Sequence, residues 1–368
     1  MEERSALIAM SGGVDSSVAA HLMLQADYRC MGVNMRLYHN EDIGVSIFRP
    51  CCSQQDRDDA ASAAERLGMP FEVRDFTADF KQEVIDKFIR TYEQGGTPNP
   101  CIDCNRRLKF AKLLDFAREK GMNYLVTGHY ARVEYDAASG RYLLRKAMDL
   151  TKDQSYVLYT LTQEQLAHIR FPLGELTGGK QETRRLAAGL GLGNARKAES
   201  QDICFVPDGD YVAFMEHYTG RHYDEGDFLD TEGRRLGRHR GAVRYTIGQR
   251  RGLGLAAAQP LYVCAKDMAA NTVTVGRKEA LYTRELCAAD MNWIAVPEPE
   301  NPLPVLAKTR YRQQEQPATA YPEPGGRMRL VFDDPQRAIT PGQAVVMYRA
   351  DGSGVVVGGG TIERAVGK

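Results

Sequence analysis

The chain has 368 residues, 43% of them hydrophobic, with 48 basic and 48 acidic side chains that cancel to zero net charge. That length exceeds one ordinary core and predicts two or three domains, while no run approaches the roughly 20 apolar residues that a membrane span requires. The start MEERSALIAM passes from acidic residues into a short apolar run, unlike a signal or transit peptide, and eight cysteines in such a chain are not a disulfide framework, so the expected location is the cytoplasm.

Ala6 to Met10 predicts a buried strand; SGGVDSS at 11–17 follows it, and the amphipathic stretch Val18, Ala19, Leu22, Met23 predicts a helix. Strand, glycine loop and helix start together turn backbone amides toward an anion, and a phosphate is the natural guest. The Walker string GxxxxGK[ST] is absent, which argues against the usual kinase and GTPase chemistry. SGGxDS after a first strand instead resembles the pyrophosphate loop of ATP pyrophosphatases, and the resemblance implies transfer of AMP to a carbonyl oxygen.

A strand is predicted at Cys30 to Met35, a helix over Gln54 to Leu67, a short strand at Phe71 to Val73 and a helix from Asp79 to about Gln94. The breakers GGTPNP precede a helix from about Cys104 to Lys120, and a strand is expected at Tyr124 to Thr127. Such alternation predicts a parallel sheet with helices on both faces and ligands beyond the C-terminal strand ends, where SGGVDSS and TGHYAR both fall. A hairpin over Val133 to Leu144 leads to KDQSY, helical segments run to a stop at Gly189 to Asn194, and AESQDICF carries Cys204.

From about Asp208 to Lys278 strand and glycine signals replace the long helices. Beyond Glu279 short alternating strands (305–311, 328–332, 344–348 and 354–362), separated by clusters such as YPEPGG and TPGQ, predict an all-β barrel or sandwich. Seven arginines and His239 lie between Arg234 and Arg251 with no acidic residue, and Arg106, Arg107, Lys109 and Lys112 form a second basic cluster. Each is a candidate phosphate-contacting patch or an ordinary solvated face.

Cys101 and Cys104 sit at a predicted helix start with cations behind them, an arrangement expected to lower a thiol pKa. Zinc would want a second pair, which the sequence does not offer as CxxC or HxxxH. The adjacent Cys51 and Cys52 have no firm role, and Cys30, Cys264 and Cys287 read as core. Adenylation turns a nucleobase oxygen into a leaving group that sulfur can displace, but a cysteine's own sulfur stays on the protein, so transferable sulfur must arrive as a persulfide. A second cysteine then cleaves the S–S bond, and Cys204 is the partner the sequence offers for the CxxC.

The ordered motifs AMSGGVDSS, TPNPCIDCN, LVTGHYAR, KDQSYVLY, SQDICF, YTIGQRRGLG, KTRYRQ and TPGQAV resemble the tRNA-specific 2-thiouridylase family over nearly the whole chain. The resemblance implies an α/β class: a parallel-sheet, adenine nucleotide alpha hydrolase-like catalytic domain over 1–205, a small β-rich tRNA-contacting domain over 206–278 and a C-terminal tRNA-binding β-barrel over 279–368. It implies ATP contacts at Ala9, Met10, Ser11, Gly12, Gly13, Val14, Asp15, Ser16, Met35 and Gly128, with Mg2+ accompanying the nucleotide. Cys104 would be the nucleophile and Cys204 the persulfide carrier. The target base, the wobble uridine of a tRNA anticodon loop, would meet Asn99, Pro100 and Cys101. His129, Lys152, Asp153, Gln154, Arg310, Tyr311 and Gln343 would touch the tRNA around a flipped-out base. A cysteine desulfurase or sulfur-relay protein would supply sulfur, and neither DNA nor a membrane is an expected partner.

The best-described family members carry aspartate where this chain has Cys101. Three thiolates, Cys101, Cys104 and Cys204, could hold a [4Fe–4S] cluster with one iron open to exogenous sulfide, and spacing alone does not separate that arrangement from a two-cysteine relay. Two rival readings remain: an amidating or lysidine-type ligase, which needs neither the CxxC nor Cys204, and a non-catalytic RNA-binding module, which would not exchange pyrophosphate into ATP.

Overall fold

The computed structural model describes residues 4–39, 54–193, 203–206 and 209–367. Cys51 and Cys52 lie outside the described residues. The chain divides into two compact units, one of residues 1–85, 100–210 and 354–356, the other of residues 86–99, 211–353 and 357–368.

In the first unit, β1 (Ser5–Ala9), β2 (Arg29–Arg36), β3 (Phe71–Asp75) and β4 (Tyr124–Val126) are followed by the antiparallel hairpin β5 (Ala131–Asp136) and β6 (Arg141–Lys146), then by the short β7 (Ile169–Arg170). The main sheet has five strands in the order β3-β2-β1-β4-β7, all parallel. The strand order therefore reverses between β1 and β4, which opens a crevice at their C-terminal ends. Ala6, Leu7 and Ile8 are fully buried because β1 is central and covered on both faces. Val18, Ala19 and Met23 of the helix Val14–Gln25 and Ala60 and Ala64 of the helix Gln54–Arg66 pack in one core with Ile8 and Val126. The alternation expected from the sequence is the architecture observed.

The helix expected from about Cys104 begins earlier, at Pro100, and runs to Glu119 with its middle, Asn105–Lys112, in π-helical form. Proline opens it without loss because the first-turn N–H has no intrahelical partner. The CxxC thus occupies the first turn.

In the second unit, β8 (Gly226–Leu229), β9 (Arg235–His239), β10 (Tyr262–Asp267) and β11 (Thr272–Gly276) form a sheet in the order β10-β11-β8-β9 around Phe228, Val263 and Val273. The strands β12 (Tyr282–Trp293), β13 (Leu303–Lys308), β14 (Gln316–Glu323), β15 (Arg327–Arg337), β16 (Ala344–Arg349) and β17 (Val356–Val366) close a six-stranded barrel, so the barrel alternative is the correct one. Two of its strands, β12 and β14, were not among those expected. YPEPGG was expected to separate strands, yet Tyr321, Pro322 and Glu323 pair with Arg329, Met328 and Arg327.

The helix Asp86–Glu93 belongs to this second unit. Tyr92 stacks on Tyr211 with ring centroids 4.2 Å apart, Phe88 meets Phe214 edge-on, and Glu93 accepts from Arg221 at 2.8 Å. Cys30, Cys264 and Cys287 are buried, as expected for core cysteines.

The arginine run is less available than its sequence suggests. Arg234, Arg235, Arg238 and Arg244 form ion pairs with Asp230, Asp227, Glu225 and Glu216, acids that lie before the run in sequence and beside it in the fold. His239 is buried, its Nδ1 accepts from the Gly241 amide at 3.1 Å, and burial lowers its pKa.

Candidate active site

The glycine loop is built as an anion cradle. Gly13 caps the helix Val14–Gln25 with no side-chain hydrogen bond, so the first-turn amides are left for a ligand. Ser16 Oγ donates to the Gly13 carbonyl at 3.0 Å and accepts from the Ser11 amide at 3.2 Å, which folds the loop onto itself. Gly12 has φ +76°, the left-handed region that favours glycine. A Cβ on Gly128, just after β4, would stand 2.8 Å from the Ser16 nitrogen, so the absence of a side chain there lets the start of the helix Val14–Gln25 approach the end of β4.

A cavity of about 340 Å³ opens at this crevice. Ala9, Met10, Ser11, Asp15 and Ser16 line it from the loop side, with Met35 and Gly128 from the neighbouring strand ends. Gly12, Gly13 and Val14, also expected to meet ATP, form the turn between the lining residues Ser11 and Asp15. Pro100, Cys101, Cys104, His129, Gln154 and Cys204 line its remaining wall. The CxxC pair and the distant Cys204 therefore face the space that the glycine loop faces.

Each cysteine has a distinct setting. Cys101 is exposed, Cys104 is buried and Cys204 is intermediate. Burial pushes the Cys104 thiol up to about 11, assisted by the nearby Cys101 and Asp103 and opposed by Lys109. The expected lowering by dipole and cations is corrected here, because desolvation of the anion outweighs both in this apolar first turn. Cys204 is fixed through its backbone: Tyr38 Oη donates to its carbonyl at 2.8 Å, and the adjoining Phe205 packs edge-on to Phe80 with centroids 5.6 Å apart.

His129 packs between Phe110 and Phe171, shares a 2.7 Å hydrogen bond with Thr127 Oγ1, and is held neutral well below its usual pKa by burial and then by Lys109. Gln154 accepts from the Tyr130 amide at 2.9 Å. Asp153, expected to touch tRNA, accepts from the Ser155 hydroxyl at 2.7 Å and from the Ala147 amide at 3.1 Å and so pins the KDQSY turn; Lys152 on that turn is half-buried. In the second unit, Gln343 donates to the Thr97 carbonyl at 2.8 Å, and Arg310 donates to the Ala338 carbonyl. These two line a pocket with Thr97 and Gln249, Tyr311 is exposed, and Asn99 is half-buried.

Sequence reasoning missed Lys180. Its ammonium, side chain 10% exposed, reaches both oxygens of Asp15 at 2.8 and 2.7 Å, and Tyr130 Oη donates to the same carboxylate at 2.8 Å. Asp15 is thus held in place at the loop by residues far along the chain. Lys180→Met strands the carboxylate, and because Asp15 keeps some solvent access the expected loss in urea unfolding is about 2 kcal/mol rather than the larger cost of a fully buried pair.

Three family models match in succession. Residues 4–208 match the tRNA methyl transferase HUP domain, 212–277 the tRNA methyl transferase PRC-barrel domain, and 283–362 the Aminomethyltransferase beta-barrel domain. A tRNA-specific 2-thiouridylase MnmA of Moorella thermoacetica is 52% identical over 97% of this chain and 99% of its own length. The chain belongs to the tRNA-specific 2-thiouridylase family. Another such thiouridylase, from Acetivibrio thermocellus, is 46% identical over 99% of this chain and 100% of that one. A solved 4-thiouridine synthetase–RNA complex with bound ATP aligns at 17% identity over 59% of this chain and 50% of that one, with a TM-score of 0.32. Among the described residues of this thiouridylase-family chain, no helix is long and apolar enough to cross a membrane.

Proposed function

We propose that this thiouridylase adenylates the C2 oxygen of the wobble uridine of tRNA at the glycine loop and then replaces it with sulfur carried by Cys204. The observation that carries this reading is the single cavity lined at once by Ser11, Asp15 and Ser16 and by Cys101, Cys104 and Cys204. The family models carry a methyl-transfer description, whereas facing cysteines beside a phosphate loop support thiolation.

ATP bound at the loop donates AMP to the base oxygen and releases pyrophosphate, with Mg2+ arriving on the triphosphate rather than in a protein cage. The terminal sulfur of a Cys204 persulfide attacks C2, and the oxygen departs with AMP. Cys104 Sγ then attacks Cys204 Sγ and gives up its proton to the departing 2-thiouracil; the S–S bond breaks, its electron pair passes to the sulfur now on C2, and a Cys104–Cys204 disulfide forms that an external thiol reduces. A cysteine desulfurase or sulfur-relay protein reloads Cys204. Residues 1–205 carry the chemistry, and 206–278 and 279–368 carry RNA contacts, with His129, Gln154, Arg310, Tyr311 and Gln343 touching the tRNA.

Cys101, Cys104 and Cys204 line one cavity, so a [4Fe–4S] cluster is the rival that the test below must separate from the relay. Among the described residues no group of three His, Cys, Asp or Glu side chains comes together to hold a single metal ion, and the relay needs none. No step is therefore routed through iron. The test pairs tRNA-dependent exchange of pyrophosphate into ATP and 2-thiouridine formation with iron and acid-labile sulfide assays on anaerobically purified protein. Exchange and thiolation without stoichiometric iron are expected. Iron and sulfide lost together in Cys101→Ala would overturn the relay, and absence of exchange would overturn the adenylation.

A further inference from the structure

The site leaves one charged group without a task. Of the side chains that line the cavity, Asp15 and Lys109 are the two that carry formal charge, since His129 is held neutral. Asp15 is satisfied by Lys180. Lys109 is half-buried, lines the cavity beside Cys104 and forms no salt bridge among the described residues, whereas its helix neighbours Arg107 and Lys112 pair with Glu83 and Asp79.

The helix explains how it comes to be there. In an α-helix of about 3.6 residues per turn, a residue five positions on points roughly 140° away from the first. Cys104 and Lys109 are five apart, and the stretch from Asn105 to Lys112 is π-helical, a form whose turn closes from i to i+5. The wider turn brings Lys109 back above Cys104. A π stretch is less stable than the α-helix it replaces, and its usual place is at functional sites.

We infer that Lys109 supplies the positive charge that stabilises the anion developing on the target base during sulfur transfer, rather than serving ATP. This rests on the thiolation reading above. The charge is on the cysteine wall: Cys104 and His129 both feel its field, while the loop wall that would hold the triphosphate has its own amides and its own Asp15–Lys180 pair. Once ATP and the target base fill the cavity, a fixed cation costs no reorganisation as charge moves onto the base, which is the condition under which such groups contribute most to rate.

The experiment separates the two half-reactions in Lys109→Met, Lys109→Arg and, as a control on the outer face of the same helix, Lys112→Met. Tested on persulfide-loaded protein with tRNA, Lys109→Met should lower single-turnover thiolation about 100-fold. Its tRNA-dependent pyrophosphate exchange should fall by no more than about threefold, and Lys109→Arg should recover most of the thiolation because it keeps the charge. Lys112→Met should match the parent in both assays. Equal losses of exchange and thiolation in Lys109→Met would assign the lysine to ATP, and undiminished thiolation would make it structural; either overturns the inference. If the parent protein neither exchanges nor thiolates, the functional reading fails instead, and the two failures are distinct.

Discussion

Cys204→Ser is expected to reduce 2-thiouridine formation by about a thousandfold or more while tRNA-dependent exchange of pyrophosphate into ATP continues. The hydroxyl cannot carry a sulfane sulfur, so the second half of the reaction stops with the base adenylated. Cys104→Ser should give the same pattern with a different intermediate: tRNA trapped on the protein through the base, carbon 2 joined to Cys204 by a disulfide that an added thiol releases. Because both cysteines serve one chain of bond exchanges, the double variant should be no worse than either single one. Radiolabelled pyrophosphate exchange and nucleoside mass spectrometry read the two halves separately. Undiminished thiolation in Cys204→Ser would remove the relay, and a nitrogen-transferring ligase would then be the better account.

Gly12→Ala is expected to destroy the nucleotide site from within the turn between Ser11 and Asp15. At φ +76° an alanine carries left-handed strain of about 1 to 2 kcal/mol before any contact is counted. Its Cβ would also stand 2.2 Å from the Asp56 carbonyl oxygen, a backbone atom in the first turn of the helix Gln54–Arg66, so neither group can swing aside. Either the loop reopens or the helix moves. The combined cost should be about 3 kcal/mol or more, read as a lower unfolding midpoint in urea, with exchange reduced over a hundredfold because the amides of Ser11 to Ser16 lose their common aim. A folded Gly12→Ala protein that binds ATP as the parent does would show that the loop geometry is not what holds the phosphates.

The parallel sheet was legible because short apolar strands such as β1 and β4, which are largely buried, alternate with longer helical stretches between breakers. The C-terminal barrel was legible only in part. The strand β12 breaks its alternation where Asp290 takes φ +52° and the register with β17 shifts between Ala289 and Asn292. The strand β14 has Pro317 and Pro322 near its two ends, where proline normally signals a turn. At the site, the glycine loop and the cysteines could be named because their chemistry is written in short strings. Lys109 could not be placed, since helical periodicity counts it onto the wrong face and nothing local announces a π turn. Lys180 could not be placed either, because its partner Asp15 is 165 positions away. The Cys104 thiol was misjudged for a related reason: the cations near it are visible in sequence, and the depth of its burial is not.

The helix Asp86–Glu93 precedes the CxxC in sequence, yet Tyr92 and Phe88 rest on Tyr211 and Phe214. A fragment ended at Asp210, where the first family model stops nearby, would keep this helix and lose what it leans on, leaving two aromatic rings to water and to other copies of the fragment. A fragment begun at Tyr211 would suffer the complementary loss. Dividing the protein into parts that each keep their packing therefore means carrying residues 86–99 across the cut.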